Sequence, residues 1–529
     1  MSSDETVQLP SSPTSDAAPC GMPPPDPSRA DDHLRDIGRG GAAVLFGNLA
    51  NNGLRFIAMA LVGRGLGAAT LGAFGWVMNL ERFTQVFADA GLPHANLKFV
   101  ADCLARDDRS GARATARLTA TLSFIFSFVL FAALWVLAPA IAAWGHKPEL
   151  VWPLRIAAAV IPLASITGTL LAVQQAARNV LPLVAIARVG VPLLFLTGVL
   201  YVVHVRGSLS ALVWVYAGAA GAGLIAAVTV LARWLAGGKG EPKRTVRLRD
   251  VLRFSVAMCI SAIAGSIITM ADVYIVGRFV SPDQLGTYVA ATRTAFFVSF
   301  PLVAIGALFA PVVSDLFARR DMEGLRHTYA TTTRWSTGAA FALLGPMVIA
   351  PSLVMGIFGR EFRGGGTILI LLGLGQLVNC ATGGVAWMLA MTGDQAILAS
   401  TNWACAGVLV GGLILASRAW GAVGAAVCVG GVVAAVNLIR LAWVWRRLRL
   451  HPFDARYGLC WLVTTVLIGG LALVARLGGV WAPWSALAAF VVLFSVIGWY
   501  GWMAQQNPLA LRPRRGAVAA GSPANTGTM

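Results

Sequence analysis

Apolar residues run along this chain in blocks of about 20, the length that crosses a hydrocarbon core of roughly 30 Å, and polar residues collect between them. The blocks predict fourteen membrane-spanning helices. Spans 1 to 6 fall at 40–62, 74–97, 118–138, 154–175, 181–203 and 211–235. Spans 7 to 12 follow at 254–276, 286–313, 335–357, 367–391, 396–416 and 421–444, and spans 13 and 14 at 458–475 and 481–504. Polar positions inside the spans fall on helical stripes. Asn48, Asn52 and Arg55 share a face of span 1, Arg82, Gln85 and Asp89 share one on span 2, and Ser261, Gly265, Thr269 and Asp272 share one on span 7. Stripes in the first two spans of each half predict that these helices line a shared central cavity.

Two phrases repeat. Val62-Gly63-Arg64 with Leu71-Gly72 returns as Val276-Gly277-Arg278 with Leu285-Gly286, at a numbering offset of 214. Ala105-Arg106-x-Asp108-x-x-Gly111-x-Arg113 returns as Ala318-Arg319-x-Asp321-x-x-Gly324-x-Arg326, at an offset of 213, and Ala138-Pro139 with Ala350-Pro351 is a weaker third match. Matches in one order at nearly one offset mark a duplicated unit of about 200 residues. Each copy holds six spans, an even number, so both copies enter the bilayer from one side and a pseudo-two-fold axis runs along the membrane normal. The predicted fold is an all-α polytopic membrane protein of two six-helix lobes plus two C-terminal helices. Its parts are a disordered cytoplasmic tail (1–36), an N-lobe (37–236), a basic linker (237–250), a C-lobe (251–447), spans 13 and 14 (448–504) and a cytoplasmic tail (505–529). The first tail is rich in Pro, Ser and Asp without an apolar stretch, so it is not read as a signal peptide, and span 1 is expected to act as an uncleaved anchor.

Composition agrees: 57% of residues are hydrophobic and 12% charged, too few charges for the surface of a soluble domain of this length. The net charge of +18 does not point to nucleic acid. Of 41 Lys and Arg, 29 are assigned to one alternate set of loops, tails and adjoining span ends, nine to the other, and three to span interiors, which places both termini in the cytoplasm. Anionic lipid headgroups are the expected partners of these loops. The seven cysteines form no CxxC pair or Cys/His cluster, so no metal site or disulfide framework is expected. Gly63-x-Gly65-x-Gly67 joins two spans with no strand before it and is not read as a phosphate loop. No loop is long enough to carry a catalytic domain, so no catalytic residues and no enzyme activity are expected.

Charges at membrane depth cost at least roughly 2.5–3.5 kcal/mol and tend to face a bundle interior or a wet cavity. The candidates are Arg55, Glu81, Arg82, Asp89, Asp272 and Arg293. Arg55 and Arg293 are deep and have no acid within a turn of their own helix. Arg82 with Asp89 can also be packing glue, Glu81 can serve a neighbouring helix, Asp272 can be a rim residue, and Lys98 is either an orientation signal or a charge at the cavity mouth.

The run Val62-Gly63-Arg64 to Leu71-Gly72, then Ala88-Asp89-Ala90-Gly91-Leu92-Pro93 and Phe99-Val100-Ala101, resembles the start of bacterial polysaccharide flippases. So does Asp272-Val273-Tyr274 followed by Gly277-Arg278, Leu285-Gly286 and Tyr288. These Wzx-type proteins belong to the multidrug/oligosaccharidyl-lipid/polysaccharide (MOP) exporter superfamily, and the resemblance covers spans 1–12. It implies a V of two lobes that works by alternating access in the cytoplasmic membrane. The implied substrate is an undecaprenyl-diphosphate-linked oligosaccharide passed from the inner to the outer leaflet, with a polymerase and glycosyltransferases as partners. Spans 13 and 14 depart from the common twelve and keep a lipid II flippase open, beside a cation-coupled drug exporter and a non-transporting synthase scaffold. Arginine matches phosphate oxygens through paired, charge-assisted hydrogen bonds. Arg55, Arg82 and Arg293 are therefore the candidate diphosphate ligands, with Asn48 and Asn52 for sugars and Lys98 at the mouth. Asp272, Asp89 and Glu81 are the candidate coupling groups for H+ or Na+, and no other cofactor is implied.

Overall fold

In lipid a backbone must satisfy its own hydrogen bonds, and the chain does so with helices. The computed structural model describes residues 27–236 and 246–477, with Val496 and Gly498. Span 14, the C-terminal tail, residues 1–26 and residues 237–245 of the linker lie outside the described residues. Among the described residues there is no strand.

The helix Pro27–Asp89 breaks at Gly67 (φ 86°, ψ 172°), giving α1 (27–66) and α2 (68–89). Then come α3 (Arg109–Trp144), α4 (Val151–Ala176), α5 (183–204), α6 (Leu209–Ala236), α7 (Leu248–Val276), α8 (Pro282–Ala318) and α9 (Met322–Ile349). Helix α10 (366–391) is interrupted at 382–384. The helix Gln395–Leu448 breaks at Gly421 into α11 (395–420) and α12 (422–448), and α13 is Ala455–Leu477. Among the described residues ten helices, each broken pair counted once, are long and apolar enough to cross a membrane. Separating the two pairs gives twelve, and α9, more polar in its first turns, makes thirteen. The helices thus match spans 1 to 13 in order.

Several boundaries differ from expectation, and three have a local cause. Helix α1 starts at Pro27, inside the segment read as a structureless tail; proline suits a first helical position and no breaker follows until Gly38. Helix α2 stops at Asp89 rather than running to 97, because Ala90 (φ 45°) and Gly91 (φ 75°) turn a left-handed corner. A Cβ on Gly91 would meet the Ser255 carbonyl of α7 and lie 3.0 Å from Met258 Cβ, so the corner needs glycine for closeness as well as for its backbone angle. Helix α9 starts at Met322, ahead of the apolar block at 335–357, because Asp321 caps it there.

Each repeated phrase encodes one local device. The second builds a corner. Asp108 Oδ1 accepts from the Gly111 amide at 2.8 Å and caps α3; Asp321 Oδ1 accepts from the Gly324 amide at 2.8 Å and caps α9. Before each cap stands one left-handed residue, Asp107 (φ 55°) or Arg320 (φ 58°). Before that comes one ion pair a turn apart, Arg106–Asp102 at 3.1 Å or Arg319–Asp315 at 2.9 Å. The third, weaker match has no such meaning: Pro139 lies within α3, whereas Ala350 ends α9.

The first phrase builds the seam between lobes. Adding 214 to Gly72, Gly75 and Asn79 gives Gly286, Val289 and Arg293, and these are the residues they touch. A Cβ on Gly72 would lie 2.6 Å from the Gly286 nitrogen and against the Pro282 carbonyl, and one on Gly286 would strike the Ala68 carbonyl. Pro282 is itself the counterpart of Ala68, so these two contacts are a reciprocal pair. A Cβ on Gly75 would lie 2.8 Å from Val289 Cγ2, and Arg293 Nη2 reaches Asn79 Oδ1 at 3.5 Å. Positions meeting their own counterparts are the signature of a two-fold contact. Small residues let the backbones of α2 and α8 approach at one end, and the seam widens toward Asn79 and Arg293. At the narrow end Glu361 Oε1 accepts from the Ala68 amide at 2.9 Å, capping α2 from the other lobe. Trp76 Nε1 donates to the Tyr274 carbonyl at 3.2 Å beside it.

Helix α13 is fastened to the C-lobe at the interruption in α10. Breaking the helix at Gly383 (φ 70°) deprives the carbonyls of residues 380–382 of their usual donors. Ser336 and Thr337 donate to Cys380 O at 3.1 and 3.3 Å, Tyr329 to Thr382 O at 2.6 Å, and Tyr457 of α13 to Ala381 O at 3.2 Å. Arg334 Nη2 pairs with Asp454 Oδ2 at 2.5 Å, just ahead of α13.

The seam predicts a stability ranking. Gly286→Val should cost about 1–3 kcal/mol through overpacking and lower the thermal midpoint of the purified protein. Gly265→Val should leave that midpoint nearly unchanged, because no atom lies within 4 Å of a Cβ built there.

Candidate functional site

The polar stripe on α2 faces a cavity of about 450 Å³ inside the N-lobe. Arg82, Gln85 and Asp89 line it from α2, Arg55 from α1, Thr167 from α4, Arg188 from α5 and Tyr216 from α6. From the C-lobe only Met270 of α7 reaches the lining. Of the stripes expected to line a shared central cavity, the one on span 2 faces this cavity, whose polar lining comes from the N-lobe. The sequence repeats its scaffold glycines and caps, but not the charges of spans 1 and 2.

Arg55 is held by its own helix, with Nε donating to Asn51 Oδ1 at 3.0 Å, and its guanidinium lies 6.0 Å from the Tyr216 ring centre. Arg82 makes no hydrogen bond to any described residue, and its charge acts on Arg55. Asp89 turns its carboxyl toward Ser165 of α4, with Oδ1 buried and unpartnered. Behind Ser165 stands a buried polar ladder. Ser123 lies 3.5 Å from Ser165, Thr169 Oγ1 donates to Ser123 at 3.1 Å, and Asn96 joins Thr169 O and Thr119 at 2.9 and 2.7 Å.

The remaining candidates lie elsewhere. Arg293 is on the seam with Asn79, and the charges of Arg82 and Asp272 act on it. Asp272 is not a rim residue: it is 4% exposed and accepts from Tyr288 at 3.0 Å, with Oδ1 unpartnered. Glu81 is wholly buried, and neither carboxylate oxygen has a hydrogen-bond partner. It feels the charges of Arg82 and Arg55 without forming an ion pair with either. Asn48 and Asn52 do not line the cavity. Lys98 is exposed, its ammonium 4.4 Å from the Phe254 ring centre of α7.

Sequence reasoning missed Arg188 and Arg440 by counting them as loop charges. Arg188 lies inside α5 on a π-helical stretch, Leu183–Gly190, and lines the cavity. Arg440 lies inside α12 and donates to Thr401 Oγ1 at 3.1 Å and Asn402 Oδ1 at 2.5 Å of α11. Among the described residues no group of His, Cys, Asp and Glu could hold a metal ion.

The polysaccharide biosynthesis protein model matches residues 37–317, more than half of the chain. The chain belongs to that family. The MatE model matches residues 257–411, within the C-lobe. No curated protein is similar enough to match. Among solved structures, the lipid II flippase MurJ in an inward closed conformation aligns at 12% identity and TM-score 0.66, over 89% of this chain and 99% of that one. An inward-facing multidrug resistance MATE family transporter of the MOP superfamily aligns at 14% identity and TM-score 0.62, over 77% and 98%. A mutant form of the Vibrio cholerae MATE transporter VcmN aligns at 14% identity and TM-score 0.56, over 80% and 99%. The family member described here therefore has the MOP transporter fold. It is a multi-pass membrane transporter, not an enzyme.

Tyr288 is the only side chain that donates a hydrogen bond to the Asp272 carboxyl among the described residues. Tyr288→Phe should cost about 1–3 kcal/mol by stranding a buried carboxyl, and should be read as a lower unfolding midpoint. Thr287→Val, one position away, removes only a bond to the Asp283 carbonyl of its own helix at 3.1 Å and should shift the midpoint far less.

Proposed function

We propose that this transporter carries an undecaprenyl-diphosphate-linked oligosaccharide from the inner to the outer leaflet of the bacterial cytoplasmic membrane by alternating access. The observation that carries the reading is a cavity among the apolar helices of the N-lobe, lined by arginines with which no carboxylate among the described residues forms an ion pair. A buried cation without a paired counter-ion is costly, and the cost is offset when an anionic ligand arrives. Arg55 and Arg82 hold the diphosphate, and Gln85, Thr167 and Tyr216 offer donors and acceptors to the first sugar. A cationic drug would be repelled here, which disfavours drug export. Lipid II is the second reading: it carries the same kind of headgroup linkage, and the MurJ likeness extends over 89% of the chain.

Coupling belongs to the buried carboxyls. Asp89 stands in the cavity, Asp272 on the seam and Glu81 between them in helix α2, and each has an unpartnered buried oxygen that a proton or a cation can serve. Lys98, at the end where α7 closes on the N-lobe, gathers headgroups at the inner mouth. A polymerase and glycosyltransferases are the partners that supply and consume such a substrate.

Two measurements test this reading. Arg55→Ala and Arg82→Ala at equal expression should each lower polymer export in a deletion strain at least about tenfold, the loss of one charge-assisted contact. Wild-type export in both variants would refute the diphosphate site. Asp89→Asn should also leave export insensitive to collapse of the ion gradient, whereas unchanged rate and unchanged sensitivity in Asp89→Asn, Asp272→Asn and Glu81→Gln would refute coupling through these groups.

A further inference from the structure

Arg188 owes its place to an irregular helix and two glycines. The π-helical turn Leu183–Gly190 widens the start of α5. A Cβ on Gly47 of α1 would lie 2.9 Å from Val184 Cγ1 and 3.2 Å from Arg188 Cβ, so α5 presses onto α1 at this point. On the other side, a Cβ on Gly223 of α6 would lie 2.6 Å from Val191 Cγ2. Pinned between α1 and α6, Arg188 has its Nε buried without a hydrogen-bond partner, while its side chain lines the cavity. No acid forms an ion pair with it among the described residues. The cavity's other cations stand on different helices: Arg55 lines it from α1 and Arg82 from α2, whereas Arg188 lines it from α5. The cavity therefore has two separate cationic poles, one on α1 and α2 and one on α5.

We propose that Arg188 is the second pole of the anion site, so that the cavity selects a lipid diphosphate over a lipid monophosphate. Arg55 and Arg82 take one phosphate and Arg188 takes the other. A monophosphate can satisfy only one pole and leaves the other cation buried without a ligand, which is the source of the discrimination. This inference rests on the reading of the cavity as a diphosphate site and adds its specificity. Asp89 does not contradict it, because its carboxyl is turned to Ser165 on α4.

The test uses the full-length protein in lipid nanodiscs, with undecaprenyl diphosphate and undecaprenyl monophosphate as probes and thermal stabilisation as readout. The wild type should bind the diphosphate at least about tenfold more tightly, equivalent to about 1.4 kcal/mol. Arg188→Gln should abolish that preference while keeping monophosphate affinity within about twofold. Arg55→Gln should weaken both lipids. Arg188→Lys, which keeps the charge but not the forked geometry, should retain part of the preference, and it serves as the test if the glutamine variant does not melt cooperatively. A diphosphate preference that survives in either Arg188 variant at the wild-type level overturns this inference and leaves the cavity reading standing. A wild type that binds neither lipid overturns both.

Discussion

The close crossing of α2 and α8 at Gly72 and Gly286 is the contact on which the rest of the molecule depends. Lipid supplies no hydrophobic drive to bring two helices together, so tight packing has to do so, and glycine permits the tightest. Because the contact joins residues to their own counterparts, it sets the two-fold axis as well as the distance between lobes. The seam widens from glycine pairs to the Asn79–Arg293 pair, so the two helices diverge from a sealed end. Glu361 reinforces that end by occupying the first free amide of α2, a position where helix geometry and dipole both favour a carboxylate. Any conformation that opens this end has to give up glycine packing and a cross-lobe cap together.

Around that symmetric scaffold the chemistry is unsymmetric. Asn79 and Arg293 are counterparts, yet one is neutral and the other charged, and they bond to each other across the axis. Arg55, Arg82 and Asp89 have no charged counterparts in the second repeat. The two lobes share the scaffold devices, and the cavity lies within one of them. The C-lobe retained different polar work: the cluster around Asp272 and Tyr288 on the seam, and the hydroxyls that serve the break in α10.

The scaffold was legible because its devices are short and local. An aspartate three residues before a glycine reads as a helix cap, and both copies do cap. Leu71-Gly72 and Leu285-Gly286 signal a shared role, although their mutual contact appears only in three dimensions. The stripe Arg82, Gln85 and Asp89 follows from helical periodicity and does face the cavity. Arg188 was not legible, since it stands near the start of its span, where a charge reads as a loop marker. Asp272 misled for another reason: its position near a span end suggests solvent, but Tyr288 comes from the next helix to cover it. Sequence distance from a membrane boundary says little about depth when a neighbouring helix folds over the site.

The clasp between α10 and α13 has a consequence for how such chains acquire extra spans. Tyr457 donates to a buried carbonyl that the break in α10 leaves without its helical donor. The thirteenth helix is therefore part of the C-lobe's own hydrogen-bond inventory rather than a passenger appended to a finished twelve-helix core. A twelve-span relative with the same fold would have to mend the break in α10 or recruit another hydroxyl to the same spot. Span number and the regularity of α10 should accordingly vary together across the fold, each change permitting the other.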